Sequence, residues 1–227
     1  MKKILLAFAL LLPVLSWAQG EQEMDFGASL AFELQKQLRD KLSLSLEEEL
    51  RLATNNIGFE RNMLSVGLDY QLLADRLKVG AYYCHIYLYN NKQYYENRHR
   101  YYLSLSYKQP LDEYFTLSWR GRFQGTYRDE NRGEYRINPK YVLRNKVDLE
   151  YRIFGSPWKP SVSVDFSNSM NDPAGNELYR IRYQAGVNWR LNRTDSMDFF
   201  LRMDHYLVNV DDDPNVLSIG VSYKIKI

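Results

Sequence analysis

The chain has 227 residues, of which 45% are hydrophobic, 15% aromatic and 26% charged, with a formal net charge of +2. This near-neutral balance gives no reason to expect a nucleic-acid partner. Its single cysteine, Cys84, cannot form an internal disulfide and cannot alone make a cysteine-based metal site. No Pro/Gly/Ser-rich linker divides the sequence, so its composition indicates one domain.

The N-terminus has the pattern of a secretory signal peptide. Two lysines precede the apolar stretch Ile4 to Leu15, which is shorter than the roughly 20 residues of a helical membrane span. Ser16 and Ala18 supply the small residues required at positions −3 and −1. We therefore expect residues 1–18 to be a cleaved signal peptide and residues 19–227 to be a formally neutral exported domain.

The rest of the chain is dominated by alternation of apolar and polar residues, as in Leu42-Ser43-Leu44-Ser45-Leu46. A period of two is typical of strands with one apolar and one polar face. Many segments exceed the length of ordinary strands and reach the 9–11 residues of a tilted membrane crossing. We count eleven segments: 26–36, 42–53, 62–73, 77–90, 98–109, 114–127, 140–153, 160–170, 178–191, 197–209 and 216–227.

Compact turn signals alternate with longer polar connections along the chain. The compact ones lie at 38–41, 74–76, 110–113, 155–157 and 192–195, and the longer ones around 55–56, 90–97, 129–139, 171–176 and 211–215. In transmembrane barrels the short turns face the periplasm and the long loops face outward. Since bacterial single-chain barrels have even strand numbers, eleven segments predict ten or twelve strands.

These patterns predict an all-β, up-and-down antiparallel transmembrane β-barrel with short periplasmic turns and longer extracellular loops. The 19 Tyr, 10 Phe and 4 Trp suit aromatic girdles at the two membrane interfaces. Closure is expected because an open sheet would leave an unpaired edge in lipid. We therefore expect location in the outer membrane of a Gram-negative bacterium, with outer-membrane lipid as a partner and the barrel-assembly machinery acting during insertion.

The sequence also resembles a known family. Asp25-Phe26-Gly27, the stretch Leu44 to Glu49, and Val66 to Tyr70 are similar to an uncharacterised outer-membrane barrel family common in the Bacteroidota, domain-of-unknown-function family 2490. The resemblance covers nearly the whole exported chain and implies a barrel, but it supplies no catalytic residues. The final residue is Ile227, with Tyr223 four places earlier, whereas many outer-membrane proteins end on an aromatic residue.

Three histidines are candidate catalytic groups, because lipid-active barrel enzymes use Ser/His pairs. His85, His99 and His205 each fall on the apolar parity of their strands, and no Gly-x-Ser-x-Gly sequence or other nucleophile signature accompanies them. We predict no catalytic residues. The alternative function is an outer-membrane lipid-active enzyme of acyl hydrolase or acyltransferase type.

Two acidic features invite a metal interpretation. Asp204 precedes His205, and Asp211 to Asp213 form a triplet in a predicted loop that lacks the alternating ligand spacing of a calcium loop. A solvated loop is the better interpretation. We predict neither a metal site nor a cofactor.

The polar parity of the strands carries many charged residues, which are predicted to line the lumen because cations facing lipid are costly. They are Glu33, Glu47, Glu49, Asp69, Arg120, Arg122, Arg144, Lys146, Asp148, Glu150, Arg180, Arg182 and Arg190. Either they pair across a narrow, filled interior, or the arginines bias an open pore toward anions. We favour pairing, with Arg120, Arg122, Arg180 and Arg182 opposite Glu47, Glu49, Asp148 and Glu150, because the exported chain is neutral.

The sequence thus predicts a non-enzymatic barrel that is structural or binds or passes a small solute of unknown identity. A soluble lipocalin-like barrel is the further alternative, in which the apolar face would point inward. Strand length and aromatic content argue against it.

Overall fold

A computed structural model describes residues 24–53, 58–73, 76–89, 94–128, 137–173, 175–207 and 215–227. The predicted signal peptide and the acidic triplet Asp211 to Asp213 lie outside the described residues. In the part of the chain that is described, no helix has the length and apolar character needed to cross a membrane.

The described residues form eleven strands, which match the eleven predicted segments to within three residues at each end. They are β1 (Met24–Arg39), β2 (Leu42–Ala53), β3 (Arg61–Leu73), β4 (Leu77–Tyr89), β5 (Tyr95–Pro110), β6 (Phe115–Arg128), β7 (Lys140–Tyr151), β8 (Trp158–Ser169), β9 (Leu178–Arg190), β10 (Asp195–Tyr206) and β11 (Asn215–Lys226). Each strand pairs with its sequence neighbours in one closed barrel.

The barrel closes through a parallel pair. All consecutive strands are antiparallel, whereas β1 pairs with β11 in parallel from Met24 opposite Asn215 to Gln35 opposite Lys226. Eleven lies within the predicted ten to twelve, but the expected even number is not found among the described strands. The odd strand number accounts for the parallel pairing: the first and last strands of an odd-numbered meander run in the same direction, so they can close the barrel only in parallel.

The connections are distributed between two rims. Among the described residues, the short-turn rim holds 40–41, 76, 111–114, 152–157 and 191–194, and the long-loop rim holds 58–60, 94, 137–139, 170–173, 175–177 and 207. Asparagine and aspartate side chains build two of the short turns. Asp112 Oδ1 accepts hydrogen bonds from the backbone N–H of Tyr114 and Phe115, and Asn192 Oδ1 accepts from those of Thr194 and Asp195.

The two faces of the wall differ sharply in chemistry. Large apolar side chains remain exposed on the outer face, including Leu103 (63% exposed), Ile219 (64%) and Leu30 (53%). The inner face buries polar and charged side chains instead. A small apolar cluster of Cys84, Ile86 and Tyr102 also lies inside, where the Cys84 thiol donates to the Ser65 hydroxyl at 3.3 Å. An exposed apolar belt around a polar interior is the arrangement of a membrane barrel rather than of a lipocalin.

One aromatic ring explains two glycines on the inner face. The ring of Tyr82 lies flat against β3 and β4, so a Cβ at Gly67 would be 2.0 Å from its Cδ1 atom and a Cβ at Gly80 would be 2.6 Å from Cε2. Only glycine leaves room for the ring at these positions. The ring is thereby held against the wall, and its hydroxyl points toward Asp69.

Candidate functional site

Two buried carboxylates hold arginines of neighbouring strands on the inner face. Asp204 accepts bidentate hydrogen bonds from Arg182 at 2.5 and 2.9 Å, and Arg180 lies 3.9 Å away. Asp165 accepts a bidentate contact from Arg144. The two carboxylates are only 4% and 3% exposed. Planar guanidinium groups suit such two-point contacts, which fix these side chains against the wall.

Glu49 joins strands that are not neighbours. Its carboxylate lies 3.0 Å from Arg51, 3.7 Å from Arg61 and 3.3 Å from Arg202. Arg202 belongs to β10, and β1 and β11 separate that strand from β2. The small side chain of Ser29 on β1 donates to the same carboxylate at 3.2 Å. The Arg202–Glu49 pair therefore spans the parallel seam from inside and forms a chord across part of the lumen.

Further ion pairs lie toward the short-turn rim. They join Glu33 to Lys224, Asp148 to Lys146 at 3.8 Å, and Glu150 to Lys159 at 3.3 Å. Each of these links residues on adjacent strands or two positions apart on one strand. They consequently follow the wall and do not cross the lumen.

Three planar side-chain groups, one each from β4, β5 and β6, stack on one another across the strands. The rings of Tyr82 and Tyr102 are 4.5 Å apart and inclined by 11°, and the Arg122 guanidinium lies 3.9 Å from the Tyr102 ring centroid. Asp69 accepts from the Tyr82 hydroxyl at 2.5 Å and lies 3.2 Å from Lys78. Glycine beneath the first ring and the cation over the second hold the stack in place.

The stack borders a cavity of about 170 Å³ in the lumen. Its wall consists of Glu33, Ser45, Glu47, Ser65, Asp69, Lys78, Tyr82, Tyr102, Ser104, Ser106, Arg120, Arg122 and Lys224. Glu33 and Asp69 already have cationic partners, Lys224 and Lys78.

Two arginines of this wall lack such partners. Within the described residues, neither Arg120 nor Arg122 forms an ion pair or a side-chain hydrogen bond, and Glu47 forms no ion pair either. The buried Nε of Arg122 has no hydrogen-bond partner. Two guanidinium groups thus face the cavity with one unpaired carboxylate among them. The arrangement can accept an anion through charge-assisted hydrogen bonds.

Cations outnumber carboxylates at the inner positions of the described strands. The inner carboxylates are Asp25, Glu33, Glu47, Glu49, Asp69, Glu96, Asp148, Glu150, Asp165, Asp198 and Asp204. The inner cations are Arg51, Arg61, Lys78, Arg98, Arg100, Lys108, Arg120, Arg122, Arg128, Lys140, Arg144, Lys146, Lys159, Arg180, Arg182, Arg190, Arg202, Lys224 and Lys226. The interior is therefore more positive than the overall composition indicates, because many of the acidic residues lie outside the inner strand positions.

The structure places the thirteen residues predicted to line the lumen on the polar parity of β1, β2, β3, β6, β7 and β9. Their partners differ from the predicted ones. Arg180 and Arg182 contact Asp204, and Asp148 and Glu150 contact lysines. Arg190 ends β9 and is exposed at the short-turn rim.

The three histidines lie on the outer face. His85 and His99 are register partners with rings 5.5 Å apart, and His99 Nδ1 lies 2.7 Å from the Tyr83 hydroxyl. His205 Nδ1 lies 3.2 Å from Asn215 Oδ1. These two contacts are with a phenol and an amide, and neither is the serine–histidine pair considered for a lipid-active enzyme. Among the described residues, no group of three His, Cys, Asp or Glu side chains is placed to hold a metal ion.

Several inner-face residues are absent from the set predicted to line the lumen, above all Asp165, Asp204 and Arg202. Strand parity could have found them. Asp165 alternates with Val164 and Phe166, and Asp204 lies between the outward residues Met203 and His205. The proximity of Asp204 to His205 suggested a metal site, yet successive side chains on a strand point to opposite faces.

Two solved structures have a similar fold. A bacterial polysaccharide outer-membrane secretin is 12% identical, with a TM-score of 0.56 over 84% of this chain and 66% of that one. The NanC porin is 15% identical, with a TM-score of 0.54 over 88% of this chain and 99% of that one. This chain thus spans slightly less than two thirds of the secretin. No match was found among curated proteins.

A family model also matches the chain. The model described as "Protein of unknown function (DUF2490)" matches residues 26–213, beginning at the third residue of β1. This range contains ten of the eleven described strands almost entirely. The chain therefore belongs to this family of unknown function, and its fold is an outer-membrane-type β-barrel.

Proposed function

We propose that this chain is an exported outer-membrane barrel that binds a small anionic solute in its lumen. The observation that carries the proposal is the cavity beside Tyr102, where Arg120 and Arg122 form no ion pair among the described residues and Glu47 is the one carboxylate of the wall without an ion-pair partner. A guanidinium that already lies at a cavity can bind a carboxylate or phosphate without first breaking an ion pair.

The membrane location rests on the two faces of the wall. Strands of 12 to 16 residues exceed the length needed for a tilted crossing. Their outer positions are apolar and exposed, whereas the inner positions are polar. The names of the two similar structures, an outer-membrane secretin and a porin, agree with this location.

The sign of the interior favours anions. Fixed positive charge on a narrow wall lowers the energy of an anion inside and raises that of a cation. The surplus of inner cations over inner carboxylates extends from the cavity toward the long-loop rim, where Arg100 donates to Thr126 at 3.0 Å and forms no ion pair within the described residues.

Solute binding fits better than wide diffusion. The cavity of about 170 Å³ has room for only a small organic ion, and the Arg202–Glu49 chord occupies part of the lumen nearer the long-loop rim. Ion pairs along the wall fill much of the remaining space. We therefore propose a barrel that is largely filled around this polar cavity.

Binding is tested by titrating the purified, folded barrel with citrate and with inorganic phosphate in a calorimeter. We expect saturable binding of at least one of them, weakened about tenfold or more by R120Q or R122Q because each removes a charge-assisted hydrogen bond. R193Q, in an exposed turn, is the matched control and should bind like the parent. Equal binding by all four proteins, or none by the parent, would refute the proposal.

The membrane location has its own test. Cell fractionation after expression should recover the protein with outer membranes, and its gel mobility should change on heating, as that of folded barrels does. Recovery as a soluble periplasmic protein would contradict this part of the proposal.

A further inference from the structure

One carboxylate, that of Glu48, lies on the apolar outer face of the wall, where charged groups are costly. Within the described strands, and leaving aside strand ends, the charged side chains at outer positions are Lys36, near the short-turn rim, and Glu48. Glu48 is exposed and sits between Leu46 and Leu50 in the outward series of β2. It is therefore the one outward carboxylate in the interior of a described strand.

Its neighbours across the sheet are apolar. Phe32 on β1 and Leu64 on β3 are its register partners, and both are exposed, at 41% and 46%. Val66 and Leu46 extend the apolar surround. Six residues separate Glu48 from the short-turn end of β2 and five from its other end, so it lies near mid-height of the wall.

Glu48 has one hydrogen-bond donor within the described residues. The side-chain amide of Asn62 donates to Oε1 at 3.0 Å. A carboxylate offers roughly four acceptor positions, and an amide nitrogen carries two N–H groups. Both members of the pair thus keep unused hydrogen-bonding capacity on a surface where hydrocarbon would supply no partner.

A second copy of the chain could supply the hydrogen-bonding groups that lipid hydrocarbon lacks. Two copies inserted in the same direction are related by a two-fold axis along the membrane normal, which brings residues of equal height together. The pair is self-complementary, because the free N–H of each Asn62 can donate to the free Oε2 of the opposite Glu48. Phe32, Leu64 and Val66 would then pack around a central polar contact.

From these features we infer that the outer face around Glu48 and Asn62 is an interface with a second copy of this chain. The inference rests on the membrane location proposed above and is independent of anion binding. Removing luminal arginines should leave dimerisation unchanged, so the two proposals can fail separately.

Disulfide cross-linking in native membranes tests the interface. In a C84S background, L64C should form a cross-linked dimer on oxidation, because residue 64 borders the proposed two-fold contact. L201C on β10 is the matched control, being similarly exposed at 49% but on another part of the wall. It should remain monomeric. Failure of L64C to cross-link in barrels that show heat-modifiable mobility, or equal cross-linking at 201, would overturn the inference.

Substitution of the polar pair gives the second readout. In the L64C background, E48L combined with N62L should reduce cross-linking at least tenfold, whereas E48Q, which keeps hydrogen-bonding groups, should retain most of it. Heat-modifiable mobility reports that each variant folds. Unchanged cross-linking by the double variant, or native mass spectra of the parent showing a monomer with bound lipid or a different protein, would contradict a self-association site.

Discussion

Asp204 shows how single side chains stabilise this interior. It is 4% exposed, receives two hydrogen bonds from Arg182 and lies near Arg180. A buried pair of this kind contributes little compared with an apolar substitute of similar shape, but removing one partner leaves charges uncompensated. The contribution of Asp204 is therefore visible mainly when it alone is changed.

We expect D204N to destabilise the barrel by about 3–5 kcal/mol, since two neighbouring arginines lose their carboxylate. Urea titration followed by unheated gel electrophoresis measures the folded fraction. E177Q, in an exposed connection, should change stability by less than about 0.5 kcal/mol. Similar midpoints for both variants would show that the arginines find other partners.

At the scale of the strands, alternation predicted the elements well. The eleven segments read from the sequence are the eleven described strands, because period-two patterning directly reflects which side chains lie on each face. The parallel closure was not predicted, because the even strand numbers of bacterial barrels were given more weight than the count of eleven segments. A closed meander of eleven strands requires its first and last strands to run in the same direction, as β1 and β11 do.

The candidate site was only half predictable for a related reason. Parity indicated that Arg120, Arg122, Arg180 and Arg182 share the inner face, but parity contains no information on which strand lies opposite. The contact of Arg202 with Glu49 crosses two intervening strands, β1 and β11, and alternation along one strand does not predict such a contact.

Strand orientation can be tested directly on β6. Cysteines introduced at Leu117 and Trp119, each 37% exposed, should react with or contact a lipophilic spin probe. Cysteines at Arg120 and Arg122 should not, because those positions face inward. Greater lipid contact at 120 and 122 than at 117 and 119 would reverse the assignment of the two faces.

For the whole molecule, the main electrostatic fact is the segregation of charge between wall and connections. The near-neutral composition predicted a balanced lumen, yet the inner positions of the described strands carry more cations than carboxylates. An average over the chain hides this separation, which appears only when charges are sorted by face. It shifts the expected selectivity of any passage toward anions.

Planar bilayer recordings test how full the lumen is. We expect near-baseline conductance from the unmodified barrel, because ion pairs and the chord between Arg202 and Glu49 occupy the interior. Replacing both chord residues by alanine should raise conductance with anion preference. Replacing Lys159 and Glu150, which pair along the wall, is the matched control and should have less effect. A steady anion-selective current from the parent would show that the path is open without any change.

The parallel pairing of β1 and β11 also affects whether the chain could be circularly permuted. Because β1 and β11 run in the same direction, Met24 lies at the long-loop rim while Ile227 lies at the short-turn rim. In an even-numbered barrel the two ends share a rim, and a short linker can join them to make a circular permutant. Here a linker would have to thread the full height of the barrel, on the order of 30 Å or ten extended residues. Such a linker would occupy the lumen and compete with the luminal ion pairs for the same space. Circular permutation would therefore be harder here than in an even-numbered barrel.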